Sequence, residues 1–198
     1  SLATKMLGKK LSEIKTDYSH IKNKKNLKAE NLSIKFNDPF YTDLKQVSFD
    51  VREGEIFGIA GVAGNGQSEL MNLLTGEGVD GVSGSLTFNS IDIKSFNPKK
   101  RRDMSIAFVP ENRLGHSAVP ELTLSENILI SQFPNNNFIT KGMINYRNIN
   151  AQAKKVIDEF NVVTPGIDAK ASSLSGGNLQ KFVIGREILT NPKLLIIS

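Results

Sequence analysis

Cysteine is absent from the 198 residues, which excludes a disulfide framework and any thiolate metal site. No run approaches the roughly 18 consecutive apolar residues that a membrane-crossing helix needs. The longest, such as Leu194-Leu195-Ile196-Ile197, have the length of buried sheet strands. Nor do the first residues carry an apolar core of the kind found in a secretory signal. A charge surplus is missing from most of the chain as well. The net charge is +5, and residues 1–26 hold Lys5, Lys9, Lys10, Lys15, Lys22, Lys24 and Lys25 against Glu13 and Asp17, which is 7 − 2 = +5. Residues 27–198 therefore sum to zero. A nucleic-acid reader carries its positive charge on the folded surface, so no nucleic-acid partner is expected, and residues 1–26 read as a solvated basic linker.

What is present is a globular composition, 39% hydrophobic and 23% charged, with length for one domain and a short extension. Leu32, Ile34 and Phe36 alternate with polar residues, as do Val47, Phe49 and Val51, which predicts strands. Asn37-Asp38-Pro39 marks a turn between them. Ile56 to Ala60 is wholly apolar and predicts a strand buried on both faces. A glycine-rich stretch then leads into a helix with Leu70, Leu73 and Leu74 on one face. Residues 84–93 predict a strand pair, 99–102 a short exposed helix, and 105–109 a strand. From about 114 to 172 the texture is that of a helical insert, with helices over 124–132 and 148–160. An amphipathic helix over 178–189 and a buried strand over 193–197 close the chain. The fold class expected is α/β. Ile196-Ile197-Ser198 reads as a central strand, so the expectation is a domain truncated before completion.

Gly61-Val62-Ala63-Gly64-Asn65-Gly66-Gln67-Ser68 has the spacing of the phosphate-binding loop, with glutamine in place of lysine. Glycines let successive backbone amides face inward onto a phosphate chain. The following helix adds its free amides and about half a positive charge. Ser68 would offer its hydroxyl to Mg²⁺. Gln67 brings a dipole where lysine brings a full charge, and a charge-assisted hydrogen bond is worth about 1.5–3 kcal/mol. Phosphate binding here is therefore expected to be roughly tenfold to a hundredfold weaker. A tight strand-to-helix turn without a ligand is the plain alternative.

Leu174-Ser175-Gly176-Gly177-Asn178-Leu179-Gln180-Lys181 places two glycines at a second helix mouth. Ser175 and Asn178 also suit an ordinary helix cap. With both motifs in this order and a sheet strand directly after, residues 27–198 resemble the ATP-binding cassette (ABC) family. The resemblance implies a P-loop NTPase core with an antiparallel β subdomain and a helical insert. It makes 61–68 the Walker A loop, with Glu69 beside it, and 174–178 the signature motif. Phe36 falls where the family stacks an aromatic on adenine, although a plain core residue fits as well, and Tyr41 is the other candidate. Glu111, in Val109-Pro110-Glu111-Asn112-Arg113, falls at the glutamine of the Q-loop, and Ser198 at the end of the Walker B strand, where the family has aspartate.

Gly58 to Leu70 together with Val109 to Arg113 resemble the second module of tandem ATPases serving simple sugars and nucleosides. Val119 to Asn127 is closer to the nucleoside branch, and Met6-Leu7-Gly8-Lys9 resembles the close of a first module. The resemblance implies ATP and Mg²⁺ as cofactors. The implied partners are the first module of the same protein, transmembrane permease subunits and, indirectly, a periplasmic or lipoprotein binding protein. The implied place is the cytoplasmic face of the cell membrane, peripheral. No catalytic residue is expected in the chain itself, and activity alone would be absent or very weak. The competing expectations are a regulatory nucleotide-binding module without turnover and a cassette ATPase acting outside transport, on ribosomes or DNA.

Overall fold

In a computed structural model of the chain, residues 21–77, 80–132 and 138–198 are described. The leader motif at 6–9 and four of the leader lysines lie outside them. Strands β1 (Lys25–Ile34), β2 (Leu44–Arg52), β3 (Ser83–Phe88) and β4 (Ile91–Asp92) form an antiparallel sheet in the order β2-β1-β3-β4. Two linker lysines are tied to it: Lys25, the first residue of β1, pairs with Asp50, and Lys22, just before the strand, pairs with Glu53. Along β1 the buried residues are Leu27, Ala29, Leu32 and Ile34. The extra step between Ala29 and Leu32 is a bulge, with Asn31 at φ 50°, which returns Leu32 to the core face.

Onto this sheet packs helix α1 (Gln67–Thr75) through Leu70, Leu73 and Leu74, against Leu32, Leu86 and Phe88. Helix α2 (Pro98–Asp103) begins as the sequence dictates, with Pro98 in its first turn and Asn97 capping Lys100 N. Its expected full exposure is corrected: Arg101 is completely buried. The guanidinium donates to Leu73 O (2.8 Å), Leu74 O (2.6 Å), Ile93 O (2.9 Å) and Phe96 O (2.9 Å). It thus satisfies orphan carbonyls at the end of α1 and fastens them to the turn after β4. Burial lowers its pKa to about 10, so it stays charged at neutral pH.

Strands β5 (Ile106–Val109) and β8 (Leu194–Ile197) pair in parallel, Ile106 opposite Leu194 and Val109 opposite Ile197. The buried strand expected over 56–60 is not formed. Ile56 is 99% and Ile59 52% exposed, and no strand pairs with the segment among the described residues. Only Phe57 gains cover, by stacking on Phe49. A segment buried on both faces needs ladder neighbours, and here there are none. For the same reason β8 is half-buried instead of buried, with Ile197 51% exposed.

The insert holds helices α3 (Leu124–Gln132) and α4 (Tyr146–Glu159), as expected. It also holds a small hairpin, β6 (Ile139–Thr140) and β7 (Met143–Ile144), turning on Lys141 and Gly142 at φ 51° and 78°. A capping box opens α3: Glu126 N donates to Thr123 Oγ1 and Thr123 N to Glu126 Oε2. These helices and α5 (Gly176–Ile188) enclose a second core of Ile128, Ile149, Val156 and Phe182.

Replacing Arg101 leaves buried carbonyls without a donor, each costing about 1–3 kcal/mol. Arg101→Met is therefore expected to lower the unfolding free energy by at least about 3 kcal/mol, with Arg101→Lys in between. A loss under about 1 kcal/mol in urea titration would remove Arg101 from this role.

Candidate functional site

The chain runs without strand partners to Gly61, turns, and enters α1 at Gln67. Gly64 and Gly66 hold φ of 87° and 97°, values that favour glycine. A side chain at Gly66 would also meet Leu44 Cδ2 at 2.9 Å. Gln67 folds back over the loop. Its Nε2 donates to Val62 O (2.9 Å) and its Oε1 accepts from Asn65 N (3.1 Å). Gly61 leaves room for this, since a Cβ there would lie 2.2 Å from Gln67 Nε2. The glutamine thus ties the loop to itself, and one loop amide, that of Asn65, is already taken.

Glu69 does something other than what the sequence suggested. Its carboxylate is buried and accepts from Thr42 N (2.9 Å), while Thr42 Oγ1 donates to Gly64 O (2.9 Å). The pair anchors the β1–β2 connection to the loop, so the Glu69 side chain serves as a strut, while its backbone amide belongs to the open first turn. What stays open is the first turn of α1. The amides of Gln67, Ser68 and Glu69 have no acceptor among the described residues, and the exposed Ser68 hydroxyl has no partner there.

This donor set suits an anion, through the amides and the helix dipole. For Mg²⁺ it would offer the exposed Ser68 hydroxyl, and no cluster of three or more His, Cys, Asp or Glu residues exists among the described residues. An ion held here would take its other ligands from phosphate oxygens and water.

Phe36 and Tyr41 come together, their rings stacked at 5.0 Å and 21°. Phe36 is half-buried, its N–H held by Asp43 Oδ1, and Tyr41 is the exposed partner. Both lie on the connection that Thr42 fastens to the glycine loop. Glu111 and Ser198 are exposed at the same end of the parallel pair, where Ser198 N donates to Val109 O (3.0 Å). That is the end at which such sheets bind ligands. Among the described residues no hydrogen bond links either one to Ser68.

At the second helix mouth Leu174 packs against the insert core and Ser175 is the N-cap of α5. Its hydroxyl does not cap the helix. Instead Ser175 Oγ accepts from Asn178 Nδ2 (3.0 Å), and Asn178 Oδ1 accepts from Val163 N (3.0 Å). The ordinary cap is therefore not what Ser175 makes. The amides of Gly176 and Gly177 have no acceptor among the described residues. Nothing lies within 4 Å of a Cβ built on Gly177, and its φ is not left-handed. The chain's own packing does not demand glycine there, whereas a surface or ligand approaching from outside would.

A Cβ on Gly176 would stand 3.0 Å from Arg113 Nη1. Arg113 thus adds a full positive charge beside the helix dipole. The sequence carries it in Pro110 to Arg113 but gives no sign of a role, because the approach spans the whole insert. The two mouths sit on separate cores, and among the described residues no hydrogen bond or ion pair joins them.

The profile of the family described as ABC transporter matches residues 44–197. The nucleoside import ATP-binding protein NupA of Lactococcus lactis subsp. cremoris is 44% identical over 156 residues, 78% of this chain and 30% of that protein. The guanosine import ATP-binding protein NupO of Bacillus subtilis is 39% identical, with the same coverage. The chain thus spans about 30% of the length of these relatives. Among solved structures, a nucleotide-free ATP-binding cassette from an ABC transporter superposes with a TM-score of 0.64 at 28% identity, covering 87% of this chain and 68% of that one.

Gly66→Ala is expected to lose at least about 1 kcal/mol, from the left-handed backbone and the Leu44 contact. Gly177→Ala sits in open helix and is expected to be neutral or to gain up to about 1 kcal/mol. Thermal unfolding of both variants checks the contrast, and the reverse order would contradict the local geometry.

Proposed function

As the chain belongs to the ABC transporter family, whose domains bind ATP, we propose that it is the second ATP-binding module of a tandem importer ATPase for nucleosides or simple sugars. The names of the relatives NupA and NupO support the solute class. In this reading residues 1–26 link it to the first module of the same protein. The insert docks on permease subunits at the cytoplasmic face of the membrane, and a periplasmic or lipoprotein binding protein delivers the solute.

The observation that carries the reading is the unspent donor set at 175–177, an uncapped serine hydroxyl and two free amides opening outward. Arg113 stands beside them. Two modules paired head to tail would bring this mouth to ATP held by the first module. Ser175 Oγ and the amides of Gly176 and Gly177 would donate to the γ-phosphate oxygens, fixing their position and balancing charge where it develops. When bound, ATP and Mg²⁺ supply the phosphoryl group and its counter-charge.

The chain's own loop at 61–68 plays the lesser part. Gln67 brings no charge and spends both ends of its amide on the loop. Ser198 stands where a carboxylate would hold Mg²⁺, and Glu111 replaces an amide. Phe36 or Tyr41 would take the adenine. Nucleotide would bind weakly and turn over little. A purely regulatory module, without turnover even when paired, is the second reading, favoured by the same Gln67 and Ser198. ATPase activity of the tandem protein with and without an intact 174–178 separates the two.

Ser175→Arg is expected to abolish ATP-driven uptake by the tandem protein, and Gln67→Ala to reduce it far less. Equal losses would refute the asymmetry. Gln67→Lys is expected to tighten ATP binding to this chain roughly tenfold or more. No change by calorimetry would mean that the loop is not a phosphate cradle.

A further inference from the structure

We infer that Asn178 is a positioning residue that turns the Ser175 hydroxyl into an outward-facing donor. The inference rests on the reading of 174–178 as a phosphate-contacting motif, and gives its serine a direction. Hydrogen-bond chemistry fixes the orientation step by step. The backbone N–H of Val163 can only donate, so the Asn178 atom 3.0 Å from it is the carbonyl oxygen. The amide nitrogen of Asn178 is thereby turned toward Ser175, 3.0 Å from Oγ. An –NH₂ group can only donate, so Ser175 Oγ is the acceptor in this contact. The hydroxyl proton is left over.

That proton has no destination among the described residues. Ser175 Oγ makes no cap to the first turn of α5, and no other partner exists for it among the described residues. Ser175 is exposed, as are Gly176 and Gly177 beside it. One lone pair is occupied from inside and the O–H is free toward solvent, on the side where the amides of Gly176 and Gly177 are also free. A hydroxyl without this contact could point its proton inward or accept from a neighbour. Asn178 removes that alternative before any acceptor arrives, which is preorganisation of a donor. Its reach is tied to the α4–α5 connection, because Val163 holds the amide and Lys181 Nζ donates to Asn161 O (3.2 Å) nearby.

Aspartate is nearly isosteric with asparagine and inverts the chemistry. In Asn178→Asp one carboxylate oxygen could still accept from Val163 N–H, but the other would accept from Ser175 and draw the hydroxyl proton inward. The test is a double-mutant cycle in the tandem ATPase, reading kcat, KM for ATP and melting temperature. Asn178→Ala and Ser175→Ala are each expected to lower kcat about tenfold, with KM within about twofold. The double variant is expected to be no slower than Ser175→Ala by more than about twofold, since the two residues act as one unit. Asn178→Asp is expected to fall at least as far as Asn178→Ala while melting with the parent.

A double variant about a hundredfold slower, an unimpaired Asn178→Asp, or a loss that follows melting temperature would overturn the role of Asn178. If Ser175→Ala lowers kcat and Asn178→Ala does not, only this inference falls. If Ser175→Ala itself leaves kcat unchanged, the phosphate-contacting reading of the motif falls, and this inference with it.

Discussion

The guanidinium of Arg101 meets the carbonyls of Leu73, Leu74, Ile93 and Phe96 and, among the described residues, no carboxylate. A buried cation without a counter-ion persists only when its donors are matched this fully. The match closes the far end of α1, whose near end is held by Thr42 and Glu69. A helix fixed at both ends has little freedom to tilt. The direction in which the first-turn amides of Gln67 and Ser68 point is therefore settled by hydrogen bonds at both ends of the helix, one set beside the loop and the other at Arg101. Around this helix the antiparallel sheet gathers its core, and Leu194 and Ile196 of β8 pack against the same core.

The two helix mouths differ in how their donors are spent. At 61–68 a side chain supplied by the loop itself fills the space beside Gly61 and takes up the Asn65 amide. At 174–178 the side chain that could have capped the helix is drawn aside, and Arg113 adds charge from the opposite end of the insert. At the first mouth one loop amide is taken from within while the first-turn amides of α1 stay open; at the second, the serine hydroxyl and both glycine amides stay open. That contrast is expressed in hydrogen bonds, and it follows from residue types as small as glutamine for lysine.

Much of the fold is legible in the sequence because its signals are local. Asn97-Pro98 starts a helix, Thr123 with Glu126 starts another, and alternation in 84–88 marks a strand. Both glycine motifs lie at helix openings as expected. What the sequence hides depends on groups far apart along the chain. Arg101 looks like one more exposed base in Lys99 to Arg102, since its acceptors lie up to 28 residues away. Asn127, fully buried and bonded to Val119, Leu122 and Thr123, gives no sign beyond its place in a helix. Glu69 suggests a ligand contact because it follows the loop, and only the fold shows Thr42 above it. The strand expected over 56–60 rests on composition, but a strand also needs a neighbour, which composition does not report.

That unpaired stretch has a practical consequence. Ile56 to Ala60 offers a row of backbone donors and acceptors unpaired among the described residues and flanked by uncovered aliphatic side chains, the combination from which edge-to-edge aggregation begins. Charged gatekeepers are absent within it, the nearest being Glu55. Purified alone and concentrated, the chain is therefore prone to stick to copies of itself along this rim. Its colloidal behaviour is governed by residues that precede the glycine loop and belong to neither helix mouth.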